Sequence, residues 1–240
     1  MKKFTLLLII AAIIFAITLF GCSQKPVYKL NPEEEIFDYF EGREMVTRDD
    51  SIFTTVVNFE AQEKDFFIFY LYAVNNSDET IMFNPERIYL EIVKTQDALE
   101  EHLNQKRLYA LDPEIQIDMI DKAQKDLETE HSVNTGINIF LAIIDVAEDV
   151  ASNDNIADDV FRWGNVMHNE ETSYEMTSDN LYAQKKYWEN EVLRRTALLP
   201  GQECSGLIYI PIDYNAGILR LVIPAGKIKH HYLFKQSRVD

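Results

Sequence analysis

Two cysteines, five histidines and 40 acidic side chains are the groups in this 240-residue chain that could do chemistry. Cys204 is the first candidate, because a thiol becomes a nucleophile once a neighbouring base takes its proton. Along a strand-like run, however, it shares parity with Ile208 and Ile210, which predicts a small buried hydrophobe. His230 and His231 are adjacent in a second strand-like run, so they point to opposite faces and do not converge on one metal ion. His230 goes with Tyr232 and Phe234, and His231 with Leu233 and Lys235, so one imidazole should be packed and the other exposed. Glu148, Asp149, Asp154, Asp158 and Asp159 form a dense acidic group. They lack the glycine turn and alternating ligands of a calcium loop, and a solvated helical surface is expected. Trp163 and Trp188 could belong to a sugar platform, but both fall on apolar helical stripes, where core packing is the commoner role. The chain has no Gly-x-Ser-x-Gly, phosphate loop, dinucleotide fingerprint or His-Glu-x-x-His. No catalytic residue, cofactor-binding residue or metal ligand is therefore assigned.

Cys22 is different. It follows Lys2, Lys3 and a 17-residue apolar run from Phe4 to Phe20, and it closes Leu19-Phe20-Gly21-Cys22. A basic start, an apolar stretch and a small residue before a cut mark a secretory signal. The run is also near the lower limit for a spanning helix, so an uncleaved anchor is the alternative. The arrangement resembles the signal sequence and lipobox of bacterial lipoproteins. The resemblance covers residues 1–22 and implies cleavage before Cys22 and acylation, including palmitate, of its thiol. Each buried methylene contributes about 0.8 kcal/mol, so two or three acyl chains would make attachment effectively permanent. Ser23 is not Asp, which in enterobacterial-type lipoproteins implies transfer to the outer membrane. The expected location is the bacterial cell envelope, lipid-anchored at the outer membrane, with the periplasmic or surface face unassigned.

Charge narrows the partners. The chain has 23 basic and 40 acidic residues, a net −17; removing residues 1–21 takes away two lysines and no acid, leaving −19. Such a chain does not bind nucleic acid through a basic surface, and it approaches an anionic leaflet only through its lipid. With Cys22 in the anchor, Cys204 has no partner for a disulfide within the chain. Stability must come from the core, for which 14 Phe and 12 Tyr provide material.

The elements that would position these residues fall into two languages. Residues 51–59, 66–74, 81–83 and 87–93 read as strands, with Phe53, Val57 and Phe59 on one face and Ile88, Leu90 and Ile92 on another. Residues 66–74 are apolar on both parities, as a strand covered on both faces would be. Strands resume at 205–210, 218–223 and 229–235, with turns at Pro200-Gly201, at 213–217 and at Pro224-Ala225-Gly226. Between 95 and 199 the period becomes helical. Asp112-Pro113-Glu114 opens one helix containing Met119, Ile120, Ala123 and Leu127. A second is expected at 133–151, a third carries Ile156, Val160, Trp163 and Met167, and Ser178 should cap a fourth containing Leu181, Trp188 and Val192. This segment holds 22 acids and nine bases.

The expected fold class is α+β: an antiparallel β-sandwich interrupted by a long α-helical insertion. The expected organisation is a signal at 1–21, a tether at 22–30, the sandwich at 31–94 and 200–240, and the insertion at 95–199. The strand blocks around Phe66 to Val93 and Leu207 to Pro211 look like the immunoglobulin-like sandwich of many envelope lipoproteins, a likeness that implies no activity. The functional expectation is a non-enzymatic lipoprotein with a binding or structural role, presenting its acidic helices to an envelope protein or glycan. The alternative is an envelope hydrolase acting on cell-wall or imported polymers through carboxylates from the helices.

Overall fold

The most apolar stretch of the chain dictates the layering. The computed structural model describes residues 26–34, 38–40, 42–95, 106–130 and 170–239. Within it, strand β5 (Phe66–Asn75) is an interior strand of its sheet. Phe67, Phe69, Leu71 and Ala73 are fully buried on one face, while Phe66 and Ile68 are buried on the other. A strand with two apolar faces must be covered twice. One cover is a second sheet, and the other is a pair of helices.

The sheet containing β5 has the order β10-β5-β4-β3-β2, with β2 at Asp38–Phe40, β3 at Arg43–Asp49, β4 at Phe53–Glu63 and β10 at Glu203–Pro211. The facing sheet has the order β1-β12-β11-β7-β8, with β1 at Val27–Pro32, β7 at Tyr89–Thr95, β8 at Arg107–Tyr109, β11 at Ala216–Ala225 and β12 at Ile228–Val239. Two short strands, β6 (Ile81–Phe83) and β9 (Thr196–Leu198), pair with each other. All of these pairings are antiparallel. Both sheets feed one core. Leu30, Ile88, Leu90, Ile92, Leu219, Leu221, Ile223, Tyr232 and Phe234 meet Val46, Phe53, Val57, Phe67, Phe69, Leu71, Ile208 and Ile210. Phe69 and Phe234 pack edge to face across it, with centroids 5.4 Å apart. The protein is thus mainly antiparallel sheet with helices added, as the α+β and sandwich expectations hold.

Helix α1 (Pro113–Glu130) and helix α2 (Glu170–Asn190) cover the outer face of the β5 sheet. The start of α1 is the one expected: Asp112 Oδ1 accepts the Glu114 N–H at 2.9 Å, and Pro113 occupies the first turn. Ile117, Ile120, Ala123 and Leu127 of α1 join Leu181 and Trp188 of α2, Val192, and Phe66, Ile68 and Tyr209 of the sheet in a second core. The entry and exit of the helical segment are tied together, because Arg194 grips the Glu114 carboxylate with both Nε and Nη2.

Several expectations change in detail. Residues 27–30, expected in the tether, lie in β1, which pairs with β12 over six positions. Strand β3 was not expected, and only Val46 in it is buried, so it carries little alternation to read. The 95–199 segment contributes β8 and β9 to the sheets and is not helical throughout. Ser178 lies inside α2 and does not cap it. Pro224 and Ala225 belong to β11, and the turn falls at Gly226, where φ is +58°. The helices expected at 133–151 and around Ile156 to Met167 lie outside the described residues.

The free edge of β10 is the most constrained place in the fold. The Leu193 N–H donates to the Leu207 C=O at 2.9 Å, and the Leu207 N–H donates to the Glu191 C=O at 2.8 Å. The Leu111 N–H completes the edge on the Tyr209 C=O at 2.9 Å. A buried strand edge must have its backbone groups satisfied, and the two roots of the helical segment do so. Gly206 makes room for this approach: a Cβ there would sit 2.8 Å from the Leu193 backbone nitrogen. Gly206→Ala should therefore destabilise the protein by about 1–3 kcal/mol in chemical denaturation, the usual cost of overpacking. A loss within measurement error would show that the 191–193 segment can shift freely.

Candidate functional site

A cleft of about 610 Å³ opens where α2 meets the end of the β5 sheet. It is built from four separated pieces of chain, one of them Leu111 just before α1. The β4–β5 hairpin supplies Glu63, Lys64 and Phe66, β10 supplies Tyr209, and one face of α2 supplies Asn180, Gln184, Tyr187 and Trp188. Tyr209 is the centre of an aromatic group. Its ring lies 5.3 Å from Trp188, 6.3 Å from Phe66 and 6.5 Å from Tyr187. The Tyr187 and Tyr209 hydroxyls hydrogen-bond each other. Burial pushes the Tyr209 phenol well above its usual range, and the Tyr187 hydroxyl adds to the shift, so both rings stay neutral. Trp188 and Tyr209 are nearly buried, whereas Tyr187 is 37% exposed and forms the rim. Among the described residues, no hydrogen bond ties up the side chains of Asn180 or Gln184.

The hairpin tip at the mouth of this cleft is strained. Glu63 pairs with Phe66, leaving Lys64 and Asp65 as the turn. Lys64 has φ of +51°, the one positive φ at a described non-glycine residue. The surroundings hold it there. Gln62 Nε2 donates to the Lys64 C=O at 3.2 Å and to the Pro26 C=O at 3.1 Å, while Gln62 Oε1 accepts the Tyr28 N–H at 2.6 Å. The Asp65 C=O accepts the Ile212 N–H at 2.9 Å. Gln62 thus clamps the strained turn to the start of β1, and strain kept in this way marks a place where position matters.

The opposite end of the sandwich has a second depression, also about 610 Å³, lined by Ile52, Asp78, Glu79, Met82, Arg87 and Lys227. It is a meeting of loops with two exposed apolar side chains, Ile52 and Met82. It lacks the aromatic wall of the first cleft, which is the better candidate because apolar walls with a few convergent polar groups are what small-ligand sites share.

The residues singled out from sequence are placed as follows. His230 is buried, and His231 is exposed on the other face. The His230 ring bridges Thr55 Oγ1 at 2.6 Å through Nδ1 and Asp50 Oδ2 at 3.0 Å through Nε2. Tyr232 hydrogen-bonds the same threonine, and its hydroxyl donates to the Thr55 C=O at 3.0 Å. A hydroxyl, an imidazole and a carboxylate in line have the composition of a hydrolytic triad. Thr55 is, however, completely buried between the sheets, so its oxygen is closed to any substrate. The group serves to pin β4 to β12. Cys204 is half-buried against the core, and burial pushes its thiol up to about 12, far from the thiolate that reacts. Trp188 packs into the second core, as expected, but its neighbours also make it a cleft wall. Cys22, Trp163 and the acidic group from Glu148 to Asp159 lie outside the described residues. Among the described residues, no three His, Cys, Asp or Glu side chains gather to hold a metal ion, and no helix is long and apolar enough to cross a membrane.

The cleft was not anticipated as a unit. Its residues lie at 63–66, 111, 180–188 and 209, and the local signal is the polar stretch 60–65 between the strand-like runs 51–59 and 66–74. In comparisons with known proteins, the chain matches no protein-family model, no curated protein and no solved structure.

Two predictions follow from the geometry. Burial raises the Asp50 carboxyl, but the bonds from His230 and the Ile52 and Phe53 amides outweigh it and hold it below the usual value of 3.8. A depressed carboxylate stabilises the fold above its unfolded value and loses that contribution as pH falls through the folded one. Stability should therefore drop as pH is lowered below about 3.8, and Asp50→Asn should flatten that part of the stability–pH curve; an unchanged slope would remove Asp50 as its source. Lys64→Gly should stabilise the protein by about 0.5–1 kcal/mol, because relief of about 1–2 kcal/mol of left-handed strain exceeds glycine's entropy cost. Denaturation midpoints check this, and a lower midpoint would mean that Lys64 carries no net strain.

Proposed function

We propose that this protein is a lipid-anchored, non-enzymatic binding protein of the bacterial envelope, held at Cys22 and using the α2 cleft to take its ligand. The observation that carries the reading is the way the chain enters the fold. Gln62 fixes Pro26 and Tyr28 beside the hairpin tip, so three residues separate Cys22 from Pro26, the first residue so held. Residues 23–26 reach at most about 14 Å, which keeps the hairpin end of the sandwich close to the bilayer. Strand β12, with 12 residues, runs the other way for roughly 40 Å to the Gly226 turn at the far end. The outer membrane is the proposed location, following Ser23.

A binding role also fits the chemistry of the described sites. Among the described residues, Glu63 is the one carboxylate lining the cleft, where hydrolysis of a glycosidic bond by the usual route needs two. The Thr55 hydroxyl and the His230 ring are buried, although Asp50 reaches solvent, and the Cys204 thiol is held protonated. The sandwich is read as immunoglobulin-like, on the strength of two five-stranded antiparallel sheets sharing one core. In this role it is a scaffold that carries the helical segment, whose 95–199 stretch has a net charge of −13, towards an envelope partner.

Metabolic labelling tests the anchor. The full chain should incorporate labelled palmitate and fractionate with membranes, while Cys22→Ala should lose the label. Label retained in Cys22→Ala, or none in the parent, would sink the assignment.

A further inference from the structure

We infer that the cleft binds a neutral oligosaccharide, with a sugar ring lying against the Tyr187 rim and the Trp188–Tyr209 wall. The inference rests on the binding reading above and names its ligand class. Four features of the site select it. The walls are aromatic, with Phe66, Tyr187, Trp188 and Tyr209 around one space. A sugar presents an apolar C–H face to such rings and hydroxyls around its edge, which matches their pairing of apolar body and polar tip. Polar groups ring the mouth: the Asn180 and Gln184 amides each offer donors and acceptors, the combination that hydroxyls require.

Charge is the third feature. Glu63 and Lys64 are adjacent in the lining and cancel, so the described lining residues carry no net charge. An anionic headgroup or acidic peptide would meet no excess of positive charge there. The fourth feature excludes an extended peptide adding as a strand, since the adjoining edge of β10 is already occupied by Leu111, Glu191 and Leu193. A volume of about 610 Å³ fits a short run of sugar units and not a long helix. Lys64, held in a glycine-like conformation, lines this mouth and brings a flexible ammonium donor to it.

The test uses the full chain in detergent, titrated by calorimetry and tryptophan fluorescence with chitotetraose, cellotetraose and maltotetraose. Saturable binding of at least one of them is expected, with a Kd of about a millimolar or tighter. Tyr187→Ala, Gln184→Ala and Lys64→Gly should each weaken it by about tenfold or more, as loss of one stacked or hydrogen-bonded contact does. Thermal melts accompany each variant; Tyr187 is partly exposed and Lys64→Gly should melt no lower than the parent, so weaker binding is not read from misfolded protein. Binding by none of the three sugars, or binding that all three variants leave intact, would overturn the inference. Palmitate labelling is run on the same preparations. Sugar binding without label would refute the anchor while upholding the site. Label together with capture of an envelope protein that Tyr187→Ala abolishes, and no sugar binding, would keep the binding role and reject the glycan.

Discussion

The double burial of β5 is the constraint from which the rest of the architecture follows. A strand that begins Phe66-Phe67-Ile68-Phe69 cannot leave either face in water, since each such side chain contributes about 1.5–3 kcal/mol when buried. The facing sheet covers Phe67 and Phe69, and the helices cover Phe66 and Ile68. The helical segment is therefore no appendage on a finished sandwich. It closes the outer face of the β5 sheet, and its roots satisfy the edge of β10 through Leu111, Glu191 and Leu193. Gly206 is the local concession that lets those roots approach.

The cleft is a product of the same layering. Helix α2 joins the second core through Leu181 and Trp188, and the space beside it near the β4–β5 tip is aromatic because Phe66 and Tyr209 of the sheet face it. Phe66, Trp188 and Tyr209 thus serve the second core and the cleft wall together. The polar groups come from parts of the chain that remain in contact with water, the hairpin tip and the exposed face of α2. Gln62 joins this corner to the first strand, so β1, turn and cleft share one support.

Strands that carry their own pattern were legible from the sequence. The two apolar parities of residues 66–74 and the Ile88-Leu90-Ile92 face appear as read, because each is buried by its own periodicity. The Asp112-Pro113-Glu114 helix start was equally local. What escaped has neighbours rather than patterns. Strand β3 buries one residue, and β8 and β9 are three residues long and held by partners distant in the chain. Ser178 is a good capping type but sits inside a helix, where propensity gives way to continuation of α2. The His230 bridge needed the pairing of β4 against β12 across two sheets, which no spacing within either strand encodes. Trp188 was read as a core residue, and it is one; its second role depends on Tyr209 and Phe66 arriving beside it.

The pairing of β1 with β12 also has a mechanical meaning. The two strands are antiparallel, and Val27 at the start of one lies opposite Val239 at the end of the other. A pull on the chain at Val27, directed along the strand and away from the body, does not peel the ladder open one bond at a time. It loads all six paired positions together, in shear, with the Gln62 clamp on Tyr28 and Pro26 sharing the load. Rupture then requires the whole ladder to slide at once. The strand through which any tension on residues 22–26 would enter is thus joined to the fold in the orientation that resists such tension best.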